Sequence, residues 1–221
     1  MKKEIREQLF KADTPEAFQS FLELPASSVI GALFSLFLDK EELIRWRAIS
    51  AFGITVNHLA QKKMESARVI MRRLMWSLND ESGGIGWGSP EAMGEVMARN
   101  RTLAKEYHRI LLSYAIENQN YLEFEMLQRG VLWGVGRLGR QYPELVKPSA
   151  VHLNPFLLSK DACLRGLGVW AALPLKDEVN LSLLMGLTQD PASISVYDEF
   201  ILKNLSIAGL AEQAVKSQGK L

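Results

Sequence analysis

Apolar residues recur along most of the chain at three- and four-residue steps. Between 61 and 78 they are Met64, Ala67, Met71, Leu74, Met75 and Leu78; between 102 and 117 they are Leu103, Tyr107, Ile110, Leu111 and Tyr114. Each set forms one stripe on a helix, and Arg68, Arg72, Lys105 and Arg109 fall largely off it. Helices are expected near 2–11, 15–22, 26–37, 40–59, 62–78, 90–98, 101–117, 121–140, 149–158, 160–173, 178–188 and 194–216. The two-residue alternation of strands does not recur, so an all-α fold is expected. Start signals agree: Asp39 with Glu42 reads as a capping pair, and Thr14-Pro15, Ser89-Pro90 and Asp190-Pro191 each set a capping oxygen before a proline. Linkers are short throughout, which predicts antiparallel helix pairs in a single domain spanning 1–221.

Three of these helices share a finer pattern. Arg45, Gln128 and Arg165 are each followed by a small or branched residue at plus three (Ala48, Val131, Gly168) and by Ala or Gly at plus six (Ala51, Gly134, Ala171). Small residues at that spacing let a neighbouring helix approach closely. The starts are separated by 83 and 37 residues, close to two repeats and one repeat of a helical array. In these segments the chain resembles the HEAT-repeat family, in particular the short HEAT-like repeats of phycobilisome lyases. The resemblance implies an α-α superhelix of stacked antiparallel helix pairs, a HEAT-like or ARM-type solenoid. It also implies an extended surface for binding a protein or peptide.

Composition narrows the classes. The fractions of hydrophobic residues, 48%, and charged residues, 23%, suit a globular chain of 221 residues. A formal net charge of +1 offers no general attraction to phosphate, so nucleic acid is not the expected partner. The one cysteine, Cys163, excludes an internal disulfide and a CxxC site, and reads as a small core residue. No apolar run follows the basic residues Lys2 and Lys3, and the most apolar stretch, 29–38, is about half of a bilayer crossing. A cytoplasmic location without membrane contact is the expectation.

The segment from Trp76 to Glu95 departs from the repeat. Four of the sixteen glycines lie within six residues, at 83, 84, 86 and 88, and such a loop exposes main-chain N–H groups. Asp80, Glu81, Glu91 and Glu95 supply carboxylates, the last two one helical turn apart, while Trp76 and Trp87 flank the glycines. The glycines follow a helix and lack a Gly-Lys-Ser/Thr ending, so neither a dinucleotide loop nor a P-loop fits. Counting from Asp80 puts Glu91 at the twelfth position of a calcium loop, but Ile85 stands where the turn glycine belongs. No histidine accompanies the acids; His58, His108 and His152 are scattered.

The loop at 79–91 is therefore the candidate recognition element, with Trp76, Asn79, Asp80, Glu81, Ser82, Gly83, Gly84, Trp87, Glu91 and Glu95 as site residues. Neither metal, cofactor nor catalysis is expected. A structural reading stands beside it: Asn79 and Asp80 close one helix, Ser89 caps the next, and the tryptophans fill space. The alternative is a carboxylate-dependent enzyme, above all one similar to the HEAT-like DNA-alkylation-repair glycosylases, in which Trp76 and Asp80 would be the nearest counterparts of the tryptophans and catalytic carboxylate. A bilin lyase is a third possibility, on fold analogy alone. Trp46, Trp133 and Trp170 lie in the repeat helices and are expected to pack between them.

Overall fold

A computed structural model of the chain describes residues 1–79 and 86–218. Among these are twelve α-helices: α1 (Lys2–Lys11), α2 (Ala26–Leu36), α3 (Glu42–Lys62), α4 (Met64–Leu78), α5 (Ser89–Arg99), α6 (Arg101–Ser113), α7 (Glu125–Gln141), α8 (Pro143–Val146), α9 (Asn154–Leu157), α10 (Ala162–Ala172), α11 (Leu181–Leu187) and α12 (Ile207–Ser217). Helices α3, α5, α7 and α10 lie side by side in that order; α4 bridges α3 and α5, and α6 bridges α5 and α7. No helix among the described residues is long and apolar enough to cross a membrane.

Small residues set the closeness of this row. Gly94 on α5 faces Gly134 on α7, and a Cβ on Gly94 would stand 2.7 Å from the Gly134 carbonyl oxygen. Gly136 on α7 lies directly against the Trp170 ring of α10. Trp133 and Trp170, equivalent across the 37-residue offset, stack with centroids 6.1 Å apart and planes 11° from parallel. Arg45 and Arg165 also make the same contact, each donating from Nη1 to the carbonyls five and six residues before it.

The carboxyl-terminal part corrects the sequence reading. Residues 194–216 do not form one helix: β1 (Ser193–Asp198) and β2 (Ile201–Ser206) pair antiparallel, and α12 follows. Ile194 and Val196 are buried and Ser193 and Ser195 exposed, so the alternation was there, but short. The two-residue turn Glu199-Phe200 has φ of 50° and 66°, the left-handed pair that closes a tight hairpin and ordinarily calls for Asn or Gly. Asp190 accordingly caps no helix; it accepts from the Ala192 N–H and pairs with Arg165 at 2.8 Å. Nor is Asp39 the cap of α3; it accepts from the Glu41 N–H, and Glu41 is the residue that precedes the helix. Pro15–Glu23 and Lys147–Leu153 adopt 3₁₀ geometry instead of the expected α-helix, each with a proline in its first turn.

The hairpin packs onto the helical row. Tyr197 stacks on Trp46 at 5.3 Å, its hydroxyl lies 3.0 Å from Ser50 Oγ, and its carbonyl accepts the Trp133 Nε1 hydrogen bond at 2.8 Å. Ile194 sits against Gly166, where a Cβ would come within 2.6 Å. Arg47, almost wholly buried, donates to the carbonyls of Leu9, Phe10 and Phe200, tying α1 and the hairpin to α3.

Candidate functional site

The chain enters α5 through two glycines in left-handed conformation, Gly86 with φ 62° and Gly88 with φ 75°. At Gly88 a Cβ would stand 2.9 Å from the Phe37 side chain, so both backbone angle and space demand glycine there. Ser77 Oγ and Ser89 Oγ, 2.8 Å apart, join the end of α4 to the start of α5. This geometry puts Trp87 and, in the first turn of α5, Glu91 on the wall of a cavity of about 450 Å³.

Five elements build that cavity. Helix α3 contributes Glu42, Arg45, Trp46 and Ile49; α5 contributes Glu91; α7 contributes Met126, Arg129, Gly130 and Trp133; α10 contributes Cys163 and Leu167; β1 contributes Ile194 and Ser195. Phe37, Leu38, Asp39, Trp87 and Gly88 complete it from the connecting segments. The volume is that of a small-ligand site, and the lining is mainly apolar and aromatic, with the charged side chains Asp39, Glu42, Arg45, Glu91 and Arg129 among it. Trp46 and Trp133 approach to 4.8 Å between centroids, and Trp87 meets Phe124 edge-on at 5.4 Å. Each ring is held by a neighbour, so the walls are pre-formed.

Glu91 is the chemically unusual group. Its side chain opens partly to the cavity, yet Oε2 is sealed from solvent and has no hydrogen-bond partner. The backbone of α7 lies directly against it: a Cβ on Gly130 would fall 2.5 Å from the Glu91 carboxyl carbon and 2.6 Å from both oxygens. Burial pushes the carboxyl up to about 7, against smaller opposing effects of its own N–H and of the Arg45 charge.

The other charged groups at the cavity are engaged elsewhere. Asp39 is bound bidentately by Arg6, at 2.6 and 2.9 Å, which holds its carboxyl below the usual range. Arg45 donates to the carbonyls of Asp39 and Lys40, and Glu42 accepts from Trp46 Nε1 at 3.4 Å. Arg129 pairs with Asp161 at 2.8 Å through Nη2, while its Nε–H is buried without a partner. An acceptor on α5 and a donor on α7 are therefore both unsatisfied and both closed to solvent in the cavity wall, where such groups cost stability.

The residues singled out in the sequence separate into distinct roles. Trp87 and Glu91 are at the cavity. Glu95, 2% exposed, is not available for chemistry: its two oxygens accept from Arg99 and Arg137, each at 2.6 Å. Trp76 is 76% exposed on α4, away from the cavity, and Asn79 closes that helix through its N–H to the Trp76 carbonyl. Asp80, Glu81, Ser82, Gly83 and Gly84 lie outside the described residues. Sequence reasoning missed Arg45, Trp46, Arg129 and Trp133, which sit in the long helices α3 and α7, where tryptophan reads as packing. Cys163 is half-buried at the cavity wall rather than in the core. Among the described residues, no three of His, Cys, Asp and Glu gather closely enough to hold a metal ion.

No protein-family model matches the chain, and no curated protein sequence does. Among solved structures, the chain is similar to an engineered protein from the Northeast Structural Genomics Consortium, with a TM-score of 0.57 and 12% identity over 98% of this chain and 96% of that one. At that identity the likeness concerns the fold alone.

Proposed function

We propose that the protein is a HEAT-like repeat module of the solenoid type that recognises a protein or peptide partner, one side chain of which enters the tryptophan-walled cavity at Glu91. The observation that carries this reading is a cavity of about 450 Å³ walled by Trp46, Trp87 and Trp133, onto which the half-buried Glu91 side chain opens without an ion-pair partner among the described residues. The ordered row α3–α5–α7–α10, the stacked equivalents Trp133 and Trp170, and the repeated arginine contact support the repeat architecture. Relative to the sequence expectation, the recognition site moves from the loop itself to the cavity that the end of the loop borders. Replacing Trp87 and Glu91 by Ala and Gln should abolish capture of the partner with helicity unchanged. A doubly substituted chain that still binds it would remove the cavity from the account.

A second reading is a carboxylate-dependent enzyme of the DNA-alkylation-repair type. It gains from a carboxyl raised to about 7 beside tryptophans, now Glu91 with Trp46, Trp87 and Trp133 in place of Trp76 and Asp80. The formal net charge of +1 weighs against it, because affinity for DNA rests on neutralising phosphates. A gel-shift titration against salt, with base release from alkylated DNA as its second readout, separates the two readings.

A further inference from the structure

Building on that cavity reading, we infer that the occupant is an organic ammonium group, as on a methylated lysine side chain, paired with the ionised Glu91 carboxylate and lying against the tryptophan rings. Three carboxyl groups, Asp39, Glu42 and Glu91, line the cavity against two guanidinium groups, Arg45 and Arg129. Of the three, Glu91 is the one with no side chain bound to it among the described residues, since Arg6 binds Asp39 and the Trp46 N–H reaches Glu42; its Oε2 is closed off, and an occupant meets the carboxyl through the part of the side chain open to the cavity. Both guanidinium groups are tied down, Arg45 to backbone carbonyls and Arg129 to Asp161. An anionic occupant would have to share a poorly hydrated space with Glu91. A neutral apolar one would leave the carboxyl unsatisfied. An alkylammonium ion offsets the carboxylate's charge and gains from indole faces, the best aromatic partners for a cation.

The pairing couples binding to a proton. Without ligand the Glu91 carboxyl is pushed up to about 7 by burial, so a cation must find it ionised. The charged or titratable groups around it are Arg45 and Glu42 from α3, Asp39 from the turn before it, Arg129 from α7 and Cys163 from α10; among the described residues α4 and α6 add none to the lining. The competent fraction rises from roughly a tenth at pH 6 to roughly nine-tenths at pH 8, which makes apparent affinity about tenfold tighter at the higher pH.

The test is a tryptophan-fluorescence and calorimetric titration of the full chain at pH 6 and pH 8. The probes are choline, an amide-capped trimethyl-lysine, and the carbon isosteres of both in which a tert-butyl group replaces the ammonium. The ammonium probes should bind at least tenfold more tightly than their isosteres at pH 8, lose about tenfold on moving to pH 6, and lose their preference in Glu91→Gln. The lysine probe alone binding would identify a side chain as the source; choline binding equally would point to a free small molecule. Isosteres binding as well as the ammonium probes, or affinity indifferent to pH in the unaltered chain, would overturn the cation and leave the cavity as a site. Binding of none of the probes, with the pull-down partner still sensitive to Trp87→Ala, likewise refutes the ammonium occupant alone; loss of that sensitivity too refutes the cavity reading.

Discussion

The packing of α5 on α7 offers a sharp test because backbone meets backbone there. In Gly94→Ala the new Cβ would stand 2.7 Å from the Gly134 carbonyl oxygen and 2.8 Å from its carbonyl carbon, against ordinary contact at 3.4 Å or more. No side chain can swing aside, so the two helices must separate along a well-packed seam. Overpacking of this kind costs about 1–3 kcal/mol, and backbone opposition places the site at the upper end. Alanine returns about 1 kcal/mol through helix propensity. The net loss is about 2 kcal/mol, or a fall of about 4–8 °C in Tm for a chain of this length. Gly31→Ala is the control: it lies exposed within α2 with nothing inside 4 Å of its added Cβ, so only the propensity gain remains. Circular dichroism during thermal and urea unfolding of both variants reads the difference. Gly134→Ala meets the Pro90 carbonyl oxygen at 2.8 Å, and once the helices have parted for one alanine the second should cost less than it does alone. Equal stability of the Gly94 and Gly31 variants, or strict additivity of Gly94 and Gly134, would refute the close seam.

Four further outcomes are expected. Because Glu91 keeps its proton in the folded state up to about 7 while the unfolded chain releases it near 4.5, stability should fall as pH rises across that window, by roughly 3 kcal/mol in all, and Glu91→Gln should flatten the slope in urea titrations. Gly130→Ala pushes on the movable end of Glu91 rather than on backbone, so it should leave stability within about 1 kcal/mol and bring the carboxyl's titration, followed by carbon NMR, back toward its ordinary range. Glu95→Gln removes the charge that two arginines share in a buried setting and should cost about 3–5 kcal/mol in unfolding free energy. Glu199→Asn, at a left-handed turn position, should stabilise the hairpin by roughly 1 kcal/mol in the same assay, since the exposed Lys203 pair it removes contributes little.

Helices were legible in the sequence wherever a stripe ran for three turns, as in α4 and α6, because burial on one face imposes a 3.6-residue period. The hairpin was not, for two physical reasons. Its strands are six residues each, too short for alternation to stand out, and its turn lacks the Asn or Gly that left-handed angles ordinarily require. Phe200 holds such an angle while its ring packs on Phe18 at 5.5 Å, so tertiary contact offsets local strain that composition would have advertised. Charge pairing was partly legible: Arg72 pairs with Glu65 and Arg99 with Glu95, both within reach along one helix or its continuation. Arg68 with Glu106 joins two helices and has no local signature.

The candidate site was half visible for a related reason. Glycine density drew attention to 79–91, and its described end does border the cavity through Trp87, Gly88 and Glu91. The opposite walls come from Arg45-Trp46 and from Arg129 with Trp133, more than thirty residues before and after that segment in sequence, where helical packing accounts for each residue. The same glycines that satisfy the packing pattern make the chemistry. Gly94 against Gly134 draws α5 onto α7, and one turn earlier that closeness lays Gly130 upon the Glu91 carboxyl, where a residue with a Cβ would displace it. Sealing of Oε2, and with it the upward shift of the carboxyl, thus follows from helix spacing rather than from any motif around Glu91. A closely packed helix can carry a buried carboxyl of this kind with no local sequence mark beyond a glycine on the neighbouring helix.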